Sequence, residues 1–176
     1  MSGGNAALLL EDAHKAEAIC FEAIRLLRQI DDRWSLAWAL SSLGHASLQL
    51  GKTEQARASF DECIRFAREI GNPGALLSTM LGVAILSATR FQNRANATED
   101  SSSLLNAIRL LGAIPAQNEN VHMFFWLGWW SEVHQNAVRS TRNDMDEETW
   151  QKAYSEGKAL SMQQALEVAL HELDYH

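Results

Sequence analysis

The chain has 176 residues, 47% of them hydrophobic and 21% charged, with a formal net charge of −7. That balance describes a globular chain able to bury a sizeable core, and it excludes nucleic-acid binding through a broad basic surface. The whole chain holds only two prolines, which points to long uninterrupted helices and an all-α fold.

In chain order, the run Ala6 to Leu10 is too short for a secretory signal core with its cleavage site, and acidic residues follow at once. No run approaches the roughly 18 apolar residues of a membrane span, so the expectation is a cytoplasmic chain without a membrane partner. A first helix is expected from Leu10 to Ile30, stopped by Asp31-Asp32. From Trp34 to Leu50, the residues Leu36, Leu40, Leu43, Ser47 and Leu50 keep the three-and-four spacing of an amphipathic helix, and Gly51-Lys52 closes it. Thr53 is expected to cap a helix running to Ile70, with a further helix from Ala75 to Phe91 after the Gly71–Gly74 turn.

Residues 93–103 are small and polar and read as a loop, with Ser101 or Ser102 capping the helix that carries Asn106–Ala113. Ile114–Asn120 contains Pro115 and reads as a turn before a long helix from Glu119 to Thr141. After a polar break, two short helices are expected near Glu147–Glu156 and Ser161–Leu173, the second opened by a Ser161/Gln164 capping box.

The segment EAIRLL (Glu22–Leu27) returns as ECIRFA (Glu62–Ala67) and NAIRLL (Asn106–Leu111). Laying residues 14–36 over 54–76 gives eight identities without a gap, among them Ala16/Ala56, Glu22/Glu62, Arg25/Arg65 and Ile30/Ile70. A period near 40 belongs to stacked helical pairs. A catalytic site has to be specified once, whereas a stacked unit has to be specified several times.

Residues with chemical potential are scattered. Cys20 and Cys63 sit in amphipathic patterns with no CxxC spacing and read as buried small residues in a reducing compartment, the alternative being a disulfide. His122 and His134 are twelve apart, His14 and His45 stand alone, and His171 and His176 lie in the tail, so no metal site is expected. Without a GxSxG elbow, or a base near either cysteine, no catalytic residue is assigned. Arg25, Arg65 and Arg109 recur at one repeat position, either as surface residues with packed stems or as a ladder for an acidic partner.

The stretch VHMFFWLGWW (Val121–Trp130) places Phe125, Trp126, Trp129, Trp130 and Val133 on one helical arc, with Phe124 and Leu127 outside it. A helix apolar on more than one side needs more than one cover. The C-terminal helices, a second protomer or an absent domain could supply it. Phe124, Trp126, Leu127 and Trp130 are therefore the interface candidates, for a homodimer or for such a domain.

Leu40, Leu43-Gly44, Gly51, Ala56, Phe60 and Cys63 resemble the tetratricopeptide repeat, with Ser47 standing where that repeat prefers Tyr and with a longer period. Residues 31–72 look like the long-period repeats at the C-terminal end of large bacterial signalling ATPases and of LuxR-type or antibiotic-regulatory transcription factors. AIRLLGA (Ala107–Ala113), followed by Trp150–Leu170, resembles the ending of such regulators, and Gly157-Lys158-Ala159-Leu160-Ser161 is its sharpest part. Together these cover nearly the whole chain apart from 93–103 and 119–145.

The resemblance implies a right-handed stack of antiparallel helical hairpins, about seven helices. Residues 1–92 would form hairpins, 93–103 a polar loop, and 104–176 the continuing repeat with capping helices. It implies a non-catalytic domain for protein–protein interaction or effector sensing, without cofactors. The ATPase and DNA-binding parts are missing, since no GxxxxGK[ST] loop or basic recognition helix occurs. A protein or peptide partner would lie in a groove lined by Trp34, Trp38, Ser41, Ser42, His45, Gln49 and Ser78. The rivals are an adaptor self-associating through the tryptophan-rich helix and an enzyme with an unusual site near His45.

Overall fold

The computed structural model describes residues 12–93, 101–121 and 129–174, and all the regular structure among them is helical. Eight helices are described: α1 (Ala13–Gln29), α2 (Arg33–Gln49), α3 (Thr53–Ile70), α4 (Pro73–Gln92), α5 (Ser102–Val121), α6 (Trp129–Asn143), α7 (Glu147–Ala159) and α8 (Met162–Asp174). The chain divides into two compact units, Met1–Gly82 and Val83–His176. The division falls inside α4 and not in the polar segment 93–103 that composition singles out, of which Ser102 and Ser103 already belong to α5.

Short polar side chains start most of these helices. Asp12, Asp32 and Asp146 accept from the backbone N–H three residues on, at 3.0, 3.0 and 2.9 Å. These bonds satisfy donors that a helix start leaves orphaned. Asn72 does the same for Ala75 at 3.0 Å, so α4 begins at Pro73, two residues before the expected Ala75. Proline suits that first position because its missing N–H has no helical acceptor there. Thr53 is the first residue of α3 and not its cap; Lys52 holds the cap position, without a side-chain bond. Gly51 and Gly71 take positive φ of 70° and 66°, which lets the chain turn after α2 and α3. At α8 the expected box is formed reciprocally, Ser161 N–H to Gln164 Oε1 at 2.9 Å and Gln164 N–H to Ser161 Oγ at 3.3 Å.

In the first unit, α2 packs against both α1 and α3. Ala16 of α1 and Ala46 of α2 meet with no exposure, and Ile19 packs on them. Lys52 closes the same corner with both oxygens of Glu17, at 2.6 and 2.8 Å. Between α2 and α3 the fully buried Phe60 ring lies where a Cβ on Gly44 would come within 2.5 Å of Cδ1. The same ring lies 2.6 Å, at Cε1, from a Cβ built on Gly82 of α4. One aromatic ring thus occupies the space that two glycines leave open, one on each neighbouring helix.

In the second unit, α5 is the hub and packs against α6, α7 and α8. Its contact with α7 runs through backbone: a Cβ on Gly112 would stand 3.1 Å from the Tyr154 carbonyl carbon, and one on Gly157 would stand 2.8 Å from that of Arg109. Trp150 of α7, 2% exposed, donates from Nε1 to Thr141 Oγ1 of α6 at 3.2 Å.

The turn expected at Ile114–Asn120 is absent. Helix α5 continues through Pro115 to Val121, so Glu119 belongs to α5 and does not open the next helix, which is described from Trp129. A proline inside a helix removes the N–H that would bond the carbonyl four residues back, here Leu111. His134 of α6, buried, places Nε2 2.8 Å from that Leu111 oxygen and supplies the missing donor.

Two outcomes follow. Gly44→Ala and Gly157→Ala should each lower unfolding free energy in urea by about 1–3 kcal/mol, through overpacking against a trapped ring and a backbone respectively. Gly51→Ala, with nothing within 4 Å, should cost only about 1 kcal/mol for its positive φ; equal losses at all three would contradict the close approaches. His134→Ala should cost about 1–3 kcal/mol by orphaning a buried carbonyl. Pro115→Ala should recover much of that loss by restoring the helical N–H, and additivity of the two changes in a double-mutant cycle would refute the link.

Candidate functional site

The expected groove face lies on α2 with Ser78 of α4, all within the first unit. Its seven residues differ sharply in exposure. Trp34 is 52% exposed, Gln49 is exposed and Trp38 is half-buried, whereas Ser41, Ser42, His45 and Ser78 are 0%, 2%, 4% and 1% exposed. The middle of the face is therefore interior, and only its two ends meet solvent. The six α2 positions share one side of the helix by their spacing, but that spacing does not tell a polar line facing a groove from one facing a neighbouring helix.

That interior line is a hydrogen-bonded lock between α2 and α4. The Ser41 and Ser78 hydroxyls lie 2.6 Å apart, and His45 Nε2 lies 3.0 Å from the Ser78 carbonyl oxygen. A carbonyl only accepts, so Nε2 carries the proton. The imidazole also stands edge-on to the Phe60 ring, centroids 5.3 Å apart. Burial drives the His45 pKa down to about 4, against a smaller upward pull from the Ser78 carbonyl. The ring is neutral at physiological pH and holds Ser78 by its backbone, which suits a packing role and not a general base for a hydroxyl.

The cysteines are both free thiols and both buried, as their amphipathic settings suggested. Cys63 donates to the Ala37 carbonyl oxygen at 3.2 Å and accepts from Thr79 Oγ1 at 3.1 Å. Burial pushes both thiols up to about 12, which removes the thiolate that nucleophilic or redox chemistry needs. Among the described residues, no group of three or more His, Cys, Asp or Glu side chains is placed to hold a metal.

The arginines of the repeat position each face a carboxylate of this chain. Arg25 binds Glu22 at 2.6 and 3.0 Å, Arg65 binds Asp61 at 3.0 Å, and Arg109 reaches Glu156 of α7 at 3.0 Å. A cationic ladder for an acidic partner would need these charges to be open. Elsewhere, Gly157–Ser161 proves to be the α7–α8 corner. Gly157 admits the α5 backbone, the Leu160 carbonyl accepts from Gln117 Nε2 at 2.7 Å, and Ser161 caps α8. Helix α4 is long and apolar enough by composition to cross a membrane, but most of it is buried inside the fold.

Of the interface candidates, Phe124, Trp126 and Leu127 lie outside the described residues, and Trp130 is half-buried on α6. Sequence reading missed the Pro115–His134 link, because Pro115 read as part of a turn and nothing in the spacing joined it to His134. No protein-family model, curated protein or solved structure matches the chain.

The buried imidazole makes stability depend on pH. The folded pKa of about 4 lies below the ordinary 6.5, so the unfolded chain binds the extra proton between those values. The stabilisation is whole above 6.5 and is lost as pH falls toward 4. Wild-type protein should lose about 2 kcal/mol more than His45→Gln between about pH 7 and pH 5 in urea titrations. His134, also lowered chiefly by burial, contributes equally to both proteins, and parallel pH profiles would contradict the assignment.

Proposed function

We propose that the chain is a non-catalytic, cytoplasmic interaction module, a tetratricopeptide-like right-handed stack of helical hairpins of the kind found in bacterial signalling and transcriptional regulators. The observation that carries this reading is the repetition itself. Helices α1 and α3 share a 40-residue register in sequence, and α2 and α4 each present a glycine to the same Phe60 ring. The order of contacts along the first unit supports antiparallel hairpins: Gly44 meets Phe60 while Ala37 meets Cys63, and Gly82 meets Phe60 while Thr79 meets Cys63.

A partner would touch the open ends of the α2 face, Trp34 and Trp38 at one end and Gln49 at the other. Ser41, Ser42, His45 and Ser78 would set the spacing of the helices beneath. Effector sensing by a small molecule is the weaker form of this reading, because the polar residues that would recognise one are engaged with each other.

A photoreactive benzophenone amino acid at position 34, tested in extracts of the source cells, should yield a protein adduct of discrete mass that excess unlabelled protein abolishes. The same group at position 42, which is buried, should yield none. Equal labelling at both positions, or none at 34, would count against this face as the contact.

A further inference from the structure

Helix α8 packs on α5, and its buried residues are Ala165, Leu166, Ala169, Glu172 and Leu173. Positions i, i+1, i+4, i+7 and i+8 form one stripe, the core-facing seam of a helix. All but one of these side chains are apolar. The exception is Glu172, 1% exposed, so a carboxyl group stands where the spacing calls for a hydrocarbon.

The surroundings meet that carboxyl group only in part. Oε1 accepts from Asn106 Nδ2 of α5 at 2.7 Å, and His171 Nδ1 stands 3.8 Å from it. Oε2 is buried as well, and among the described residues no donor reaches it. Arg90 of α4 donates from Nη1 to the Glu172 backbone carbonyl at 3.4 Å. A buried acceptor without a donor costs free energy that the apolar contacts of the same helix must offset.

The start of α8 is held differently. The Leu160 carbonyl at its corner with α7 accepts from Gln117 Nε2 at 2.7 Å, and Ser161 and Gln164 close their box within α8 itself. Neither bond draws on the buried seam. Helix α7 is also secured without it, through the Gly112–Gly157 crossing with α5 and the Trp150–Thr141 bond to α6. Helix α8 thus has a well-bonded corner at one end and a half-satisfied carboxyl group near the other.

We propose that α8 is a releasable strap, swinging off α5 about the Leu160–Ser161 corner while α5, α6 and α7 stay packed. Release uncovers Ala165, Leu166, Ala169 and Leu173, an apolar surface that the closed strap hides. Glu172 sets how often the strap opens. An apolar side chain of similar size at that position would hold it shut, because replacing a poorly paired buried polar group by a packed hydrocarbon is often stabilising. The strap is independent of the α2 face, so it is read on the whole protein without a partner.

Hydrogen–deuterium exchange followed by mass spectrometry measures the opening. Amides of α8 at 165–173 should exchange about tenfold or more faster than those of α5 at 107–114. Glu172→Leu should slow exchange in α8 by about tenfold or more and leave α5 unchanged. Asn106→Ala, which removes the donor to Oε1, should quicken exchange in α8 by a similar factor.

One common rate for α8 and α5 in the wild type would overturn the strap, since the two helices would then open only together. Faster or unaltered α8 exchange in Glu172→Leu would do the same, as would failure of that variant to fold, because the carboxyl group would then be an anchor. Unaltered α8 exchange in Asn106→Ala would remove Glu172 as the hold.

Discussion

A helix brings its axis closest to a neighbour where a side chain is small or missing, and among the described residues four glycines, on α2, α4, α5 and α7, set such approaches. In the first unit the opening is filled: Gly44 and Gly82 leave a slot that the Phe60 ring occupies completely. In the second unit the opening is closed by backbone, with Gly112 of α5 and Gly157 of α7 facing carbonyl groups across the crossing. Burying one aromatic ring contributes on the order of 2–3 kcal/mol, but its larger effect here is geometric. Once Phe60 is seated, the spacing of α2, α3 and α4 is set, and the serine–histidine lock falls within hydrogen-bonding range.

The seated ring also explains why the polar line on α2 is interior. Ser41, Ser78 and His45 satisfy one another inside a contact whose distance is already fixed, so their polar groups are used in holding helices together. The thiols are placed in the same way, one of them bridging a carbonyl of α2 and a hydroxyl of α4. The exposed ion pairs, such as Arg25 with Glu22, contribute little to stability in water. They leave a surface of mixed sign.

Much of this was legible in the residues. The helices themselves, the glycine stops at 51 and 71 and the Ser161/Gln164 box each have a local cause, and local causes are written in near neighbours. What could not be read depended on contacts distant along the chain. The burial of Ser41 and His45 is decided by Ser78 and its helix, more than thirty residues away. Pro115 looked like a helix stop because the donor that replaces its N–H sits on another helix. Thr53 looked like a cap because its residue type fits one, yet the chain takes up helical geometry one residue sooner.

The bond between His134 and the Leu111 carbonyl reaches beyond this one chain. A proline at 115 is tolerable because an imidazole on α6 answers it, and the imidazole is fixed in place because the proline leaves a carbonyl to answer. Neither residue has that reason to persist without the other. In divergent chains of this architecture the two positions should therefore change together. Such a covarying pair would mark the α5–α6 contact as inherited even where the glycine pattern of the repeats has faded.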